Sequence, residues 1–396
     1  MLLKDCTTIK GGKRLPKGQT LQNIANSHPY IRVKDMHSRY VKLDSTYEYV
    51  PDTVFPSISR YIVKTNDIIL SIVGTVGLVA IVDESLNNAS LTENCVKLIN
   101  IKNYLPQFIY YYLYSEKGQT QINEGIVGST QPKFPLYNIE KLDIPDISYE
   151  KQQHIVDILG TLDTKIENNT RIIEHLIENL RLEFAIRFSN KKELKKVPLS
   201  YFVEETIGGD WGKEQAEKSN TERVVCIRGA DIPEIAVGKN GKPPIRYILP
   251  KNLQTKMLSD YEIIVEISGG SPTQSTGRCA LITQALIQQY DSPLICTNFC
   301  RAIRCKSKVF GAYAYSAFSK MYLDNLFFNY ENGTTGIKNL DLQSIIEKEQ
   351  VYLPSNEELQ EFFAFTDNTY IQVTRFKNEN NKLEKLKSLY LKKFFG

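Results

Sequence analysis

The chain has 396 residues, 42% hydrophobic and 24% charged, and Lys plus Arg exceed Asp plus Glu by 49 − 45 = 4. That is the composition of a globular protein with room for two cores of ordinary size. No apolar run approaches the ~18 residues of a membrane span, the N-terminus MLLKDCTTIKGGK lacks an apolar signal core, and seven irregularly spaced cysteines read as reduced thiols of a cytoplasmic protein.

In chain order, short apolar segments come first. Tyr61–Lys64 and Ile68–Val73 read as strands, and the glycine turn Gly74–Gly77 ends the second of them. LPQFIYYYLYS, Leu105 to Ser115, reads as a compact helix, followed by the loop Gly128-Ser129-Thr130. From Glu150 to Phe188 a long helix is predicted, about 58 Å at 1.5 Å per residue. Ile155, Leu159, Leu162, Ile166, Ile173, Leu176 and Leu180 fall at steps of four and three, with Asn169 on the polar position. Such a heptad seam needs a partner helix. The C-terminal stretch Glu357 to Phe395 supplies one, with Leu359, Phe363, Val373, Phe376, Leu383, Leu386 and Tyr390 on one side and Asn380 as its polar gap. Both helices are entered alike, through Pro145 and Ser148 or Pro354 and Ser355. A serine or asparagine cap with a glutamate in the first turn is a helix-start signature.

The similarity of entries is part of a wider repeat. Ile31-Arg32-Val33-Lys34-Asp35 resembles Ile227-Arg228-Gly229-Ala230-Asp231, an offset of 227 − 31 = 196. Asp67-Ile68-Ile69-Leu70-Ser71 resembles Glu262-Ile263-Ile264-Val265-Glu266, Gly128-Ser129-Thr130 answers Gly333-Thr334-Thr335, and Ser148 answers Ser355. The matches keep their order, which indicates a duplicated unit. The second copy has its own glycine turn, Gly269 to Gly277, and its own compact helix, Val309 to Leu323. The plan is globular domain 1–149, helix 150–190, globular domain 191–355, helix 356–396, joined at the Lys/Asn-rich stretch 189–196. The two helices pair only if the second unit turns back, which predicts an antiparallel coiled coil with pseudo-two-fold symmetry and lets Asn169 and Asn380 meet or face solvent.

Catalytic signals are sparse. There is no G-x-x-x-x-G-K-[ST], no strand-linked G-x-G-x-x-G and no H-E-x-x-H, and two of the four histidines (His28, His37, His154, His175) lie on the long helix. Asp146 and Glu150 flank a helix start, where acids are expected anyway. Cys279, Cys296, Cys300 and Cys305 lack paired zinc knuckles, so no metal site is expected. What remains is basic, polar and aromatic residues on glycine-bearing loops. In the first unit these are Lys13, Arg14, Lys34, Arg39, Tyr40, Thr130, Gln131 and Lys133. In the second they are Trp211, Lys213, Thr273, Gln274, Ser275, Arg278, Thr335 and Lys338. Such side chains reach base edges and phosphates, although surface loops in general are rich in them.

The helix entry Ile144-Pro145-Asp146-Ile147-Ser148-Tyr149-Glu150-Lys151-Gln152-Gln153-His154-Ile155, with Leu159, Leu162, Asp163 and Ile166 after it, resembles the specificity subunit of Type I restriction–modification systems. Gly128-Ser129-Thr130-Gln131-Pro132-Lys133 and Gly208-Gly209-Asp210-Trp211-Gly212-Lys213-Glu214 are similar to that family too. The second helix entry, Asn356-Glu357-Glu358-Leu359-Gln360-Glu361, departs from it. The resemblance implies an α+β fold of two tandem target-recognition domains, each reading half of a split, asymmetric site on double-stranded DNA. It implies that the paired helices, through Ile155, Leu159, Leu162, Ile166, Asn169, Ile173, Leu176, Val373, Phe376, Asn380, Leu383 and Leu386, space the readers and dock two modification subunits. S-adenosylmethionine and methyl transfer would belong to those subunits, cleavage to restriction subunits, and no cofactor to this chain. A nuclease-like enzyme and a coiled-coil scaffold are the alternatives.

Overall fold

The computed structural model describes residues 1–189, 195–271, 273–333 and 337–396. Most of the expected joint, 190–194, therefore lies outside the described residues. The chain divides into two units, Met1–Ile166 with Lys382–Gly396, and Glu167–Asn381.

In the first unit, β1 (Thr8–Gly11), β2 (Ile68–Ser71), β3 (Val79–Val82) and β4 (Cys95–Ile99) form a mixed sheet in the order β1-β4-β2-β3, extended by the short strand Tyr40–Val41. Ile68, Ile69 and Leu70 are all fully buried. Ile68 and Leu70 face a core shared with α1 (Pro106–Tyr114), and Ile69 faces a second core with Ile31, Val41 and Leu91. A strand covered on both faces reads as an unbroken apolar run, which is why Ile68–Val73 stands out in the sequence. Tyr61–Lys64 forms no strand; Ile62 makes a single bridge to Ser90. An unforeseen helix, α2 (Glu116–Glu124), comes after α1, capped by the Ser115 hydroxyl accepting from the Gly118 amide. Only Gly118 and Ile122 of α2 are buried, too little apolar pattern to be legible.

The first long helix, α3 (Tyr149–Phe184), is capped by Ser148, whose hydroxyl accepts from the Lys151 amide at 3.4 Å. In the first unit its early turns bury Ile155 and Leu159 against α1. The C-terminal segment completes that core: Phe395 lies 5.6 Å from the rings of both Phe108 and Tyr112.

In the second unit, β5 (Val203–Gly208), β6 (Ile263–Glu266), β7 (Cys279–Leu281) and β8 (Cys300–Cys305) run in the order β5-β8-β6-β7, matching β1-β4-β2-β3. Each unit also has one parallel pair beside the sheet, Tyr30–Ile31 with Ser90–Leu91 and Val225–Ile227 with Leu294–Cys296. The repeated R-x-x-D segments fold alike. The Arg32 amide donates to Asp35 at 2.7 Å and the Arg228 amide to Asp231 at 3.0 Å, both carboxylates buried. α4 (Lys308–Leu323) packs Tyr313 against Phe184 and Phe188. The last helix, α5 (Asn356–Phe395), opens on a reciprocal cap: the Glu358 amide donates to the Ser355 hydroxyl at 3.2 Å, and the Ser355 amide to the Glu358 carboxylate at 2.8 Å.

Within each unit the segments of α3 and α5 run antiparallel. In the second, Asn169 donates to Asn380 at 2.9 Å, and Arg187 pairs with Glu361 at 3.0 Å. In the first, Lys387 donates to Asp163 at 2.6 Å, and His154 meets Phe394. The buried stripe differs from the strict heptad of the sequence reading. Ile155, Leu159, Asn169, Ile173 and Leu180 are buried at their expected positions, while Asp163 and Ile177 are buried in place of Leu162 and Leu176. Leu162, Ile166, Leu176, Phe376 and Leu383 are half-buried flanks, and Val373 is fully inside. Leu386 is a correction: it is 40% exposed, and its neighbour Lys387 turns in instead. Asp163 draws Lys387 in, because it also accepts from the Tyr111 hydroxyl at 2.7 Å and lies 4.0 Å from Arg39.

Asp163→Ala leaves Lys387 and Arg39 beside a lost carboxylate, and is expected to cost about 3–5 kcal/mol. Leu386→Ala is expected to cost under about 1 kcal/mol. Urea unfolding of the full chain measures both; equal losses would contradict this account of the seam.

Candidate nucleic-acid interface

The first unit presents its loops around a backbone crossing. At the end of β1 the chain passes so close to the turn after Leu91 that a Cβ on Gly12 would lie 2.0 Å from the Thr92 carbonyl oxygen. Only glycine fits there. The Gly12 amide donates to Cys95 O at 3.0 Å and the Lys13 amide to Leu91 O at 2.8 Å. This crossing brings Arg14 beside Glu93, with Arg14 Nε donating to Glu93 Oε1 at 2.6 Å. Partial burial works to raise the Glu93 carboxyl, but the Arg14 guanidinium, the Glu93 backbone amide and the Thr92 hydroxyl outweigh it and hold the group below its ordinary range.

Beside the crossing lies an open cleft of about 710 Å³, lined among others by Arg14, Lys17, Tyr30, Arg32, Lys34 and Glu93. Three of its cations are answered by carboxylates, Arg14 by Glu93, Arg32 by Glu48 and Asp35, and Lys34 by Glu48, so Lys17 contributes most to any attraction for a polyanion there. Lys34 is exposed and 3.8 Å from Glu48. Lys13 is also exposed, 5.7 Å above the Tyr61 ring. Elsewhere on this unit, Thr130, Gln131 and Lys133 are exposed on a loop whose ends, Val127 and Lys133, exchange both backbone hydrogen bonds at 2.9 Å. Gly128 makes that turn with φ of 87°, and Phe134 anchors it in the core.

Arg39 is placed differently from the sequence expectation. Its side chain is 10% exposed and donates to Tyr111 at 3.1 Å and to the Gly160 carbonyl at 3.4 Å. It ties the loop to α3, with Tyr40 stacked beneath its guanidinium.

The second unit repeats the crossing. A Cβ on Gly209 would lie 1.9 Å from the Thr297 carbonyl oxygen, and the Asp210 amide donates to Cys296 O at 2.8 Å. The residues just beyond it differ. Asp210 accepts from Asn252 at 2.6 Å, and Trp211 is 39% exposed under the Arg246 guanidinium at 3.9 Å. Arg246 is held in turn by Glu214 at 3.0 Å. Lys213 is exposed, and its backbone pairs with Tyr247. Thr273 and Gln274 are exposed at a loop tip, where Gln274 donates to the Tyr322 hydroxyl at 3.3 Å.

Two further candidates turn inward, which corrects the expectation that they reach outward. Ser275 is 3% exposed, and Arg278 grips the buried Glu266 at 2.8 and 2.5 Å. Lys338 pairs with Glu331 at 2.6 Å over the Phe328 ring. Thr335 lies outside the described residues. Burial pushes the thiols of Cys226, Cys279, Cys300 and Cys305 up to about 12. Among the described residues no cluster of three or more His, Cys, Asp or Glu could hold a metal ion, and no helix is long and apolar enough to cross a membrane.

These loops stand on a fold already known. Residues 1–178 match the family model of the Type I restriction modification DNA specificity domain. The resemblance of the chain to Type I specificity subunits therefore holds. Among curated proteins it is similar to the specificity subunit of Type I restriction enzyme MjaIX from Methanocaldococcus jannaschii. The two are 23% identical over 290 residues, which span 68% of this chain and 66% of that one, just under two thirds of the relative's length. Among solved structures, the S subunit of a Type I restriction-modification system from M. genitalium shares the fold. It is 16% identical with a TM-score of 0.55, over 100% of this chain and 95% of that one.

Glu93 was not among the residues singled out by sequence. The signal existed: Leu91-Thr92-Glu93-Asn94-Cys95 answers Cys296-Thr297-Asn298-Phe299-Cys300, an offset of 297 − 92 = 205, within the repeat. The crossing itself is testable. Gly12→Ala is expected to cost about 1–3 kcal/mol through overpacking. Gly11→Ala, whose Cβ meets nothing within 4 Å, is expected to stay within about 0.5 kcal/mol of wild type. Thermal unfolding that does not separate the two variants would contradict the close approach.

Proposed function

We propose that this chain is the DNA-recognition subunit of a cytoplasmic Type I restriction–modification complex, and is not itself an enzyme. Its recognition domains, 1–149 and 191–355, each read one half of an asymmetric bipartite site on double-stranded DNA. Its helices, 150–190 and 356–396, pair as an antiparallel coiled coil that fixes the gap and docks two modification subunits. Methyl transfer from S-adenosylmethionine to adenine belongs to those subunits, and cleavage, where it occurs, to restriction subunits.

The observation that carries this reading is the repeated sheet with its repeated glycine crossing, decorated by different side chains in each copy. Equal strand order gives two readers the same frame. Arg14 and Glu93 in one, against Trp211 and Asn298 in the other, give them different chemistry. Two different readers on one frame suit an asymmetric site, and half-sites would be spaced by about a helical turn, ~34 Å, or a multiple of it. The cation-lined cleft supports an electrostatic contribution that weakens with salt.

Replacing Gln131 and Lys133 together by alanine is expected to alter base preference in only one half of the selected site. Replacing Thr273 and Gln274 is expected to alter only the other. Sequencing of duplexes bound by the chain with its modification subunits measures this. A change in both halves from either replacement would defeat domain-by-domain reading.

A further inference from the structure

The Arg14 guanidinium is held on one side and open on the other. Its Nε donates to Glu93, yet the side chain is 79% exposed, so the terminal Nη1 and Nη2 donors are left to solvent at the rim of the cleft. Glu93 is itself fixed, accepting from the Thr92 hydroxyl at 3.1 Å, with the Tyr30 hydroxyl at 3.5 Å, and is 29% exposed. A long, rotamer-rich side chain is thereby aimed before any ligand arrives.

The carboxylate also decides what kind of contact suits Arg14. A phosphate contact draws on net charge, and Glu93 at 2.6 Å cancels most of it. The directional donors survive that cancellation. Two parallel N–H donors at the end of an arginine match the O6 and N7 acceptors of guanine in the major groove. Lys17, exposed in the same cleft, has the simpler chemistry of a phosphate contact. At the matching positions of the second unit, fixed by the Gly12 and Gly209 crossings, stand Trp211 and Asn298, which offer no such fork.

We propose that Arg14, positioned by Glu93, reads a guanine through O6 and N7 in the half-site taken by the first unit. This rests on the DNA-recognition reading above and adds which residue reads which base. Glu93 is a positioning residue and touches no base.

The test uses the full chain assembled with its modification subunits, and duplexes selected from a random pool at fixed salt. Wild type is expected to require guanine at one position of one half-site. Arg14→Ala is expected to lower that preference about 5- to 150-fold, with the other positions unchanged. Glu93→Gln is expected to lower preference at the same position while overall DNA affinity holds or rises, since a carboxylate is removed from beside phosphates. Glu93→Asp is expected to restore part of the preference, which a merely structural role would not do. Arg14 is exposed enough that its variants should fold, and unfolding temperature checks this. Equal weakening on every sequence by Arg14→Ala, with a shallower salt dependence, would make Arg14 a phosphate contact and overturn the proposal. So would an unchanged preference in Glu93→Gln. A wild-type complex with no base preference at all would instead remove the recognition role itself.

Discussion

A helix with one apolar stripe cannot bury that stripe alone, and the rest of the chain is arranged around that constraint. Each unit takes a segment of α3 and an antiparallel segment of α5 into its own core. In the first unit the core of Phe108, Tyr112, Ile155 and Leu159 is closed by Phe395, the penultimate residue of the chain. In the second, Phe184 and Phe188 meet Phe362 and Tyr313. Burying one such ring stabilises by about 1.5–3 kcal/mol, so neither unit is complete without residues distant in sequence. The polar contacts set register where hydrophobic contacts would slide. Asn169 pairs with Asn380 and its neighbour Glu379, and Asp163 fixes Lys387 opposite it.

A frame held this way lets the loops differ freely. The sheets carry equal strand orders, and a glycine passes a carbonyl at the same place in each, so the positions just beyond that glycine project from equivalent points. Change is confined to what those positions carry. Ion pairs sort the candidates further. Arg278 with Glu266, and Arg39 against α3, spend their donors within the fold. Arg14 keeps its terminal donors outward because Glu93 binds only its Nε. Holding an arginine by one edge is how an exposed side chain gains direction without losing its contact surface.

How much of this was legible in the sequence depends on the range of each interaction. The long helices were, because their stripes and serine caps are local, and so was the strand Ile68–Ser71, because burial on both faces leaves an unbroken apolar run. The repeat was legible through short ordered matches such as Arg32 to Asp35 against Arg228 to Asp231. What the sequence hid depends on distant partners. Nothing local says that Lys387 rather than Leu386 faces inward; Asp163, more than two hundred residues away, decides it. Nothing local distinguishes Arg278, which is clamped, from Lys133, which is exposed. Tyr61–Lys64 has the residues of a strand but only one bridge to pair with. Thr335 and most of the expected joint lie outside the described residues.

In the proposed role this chain chooses the DNA sequence that a modification subunit methylates. Mapping adenine methylation genome-wide, in a host carrying the chain with its modification subunit and in the same host lacking the chain, tests that claim most directly. The expected result is one bipartite, asymmetric methylated motif that disappears with the chain. An unchanged methylation map, with the modification subunit present and active, would contradict it.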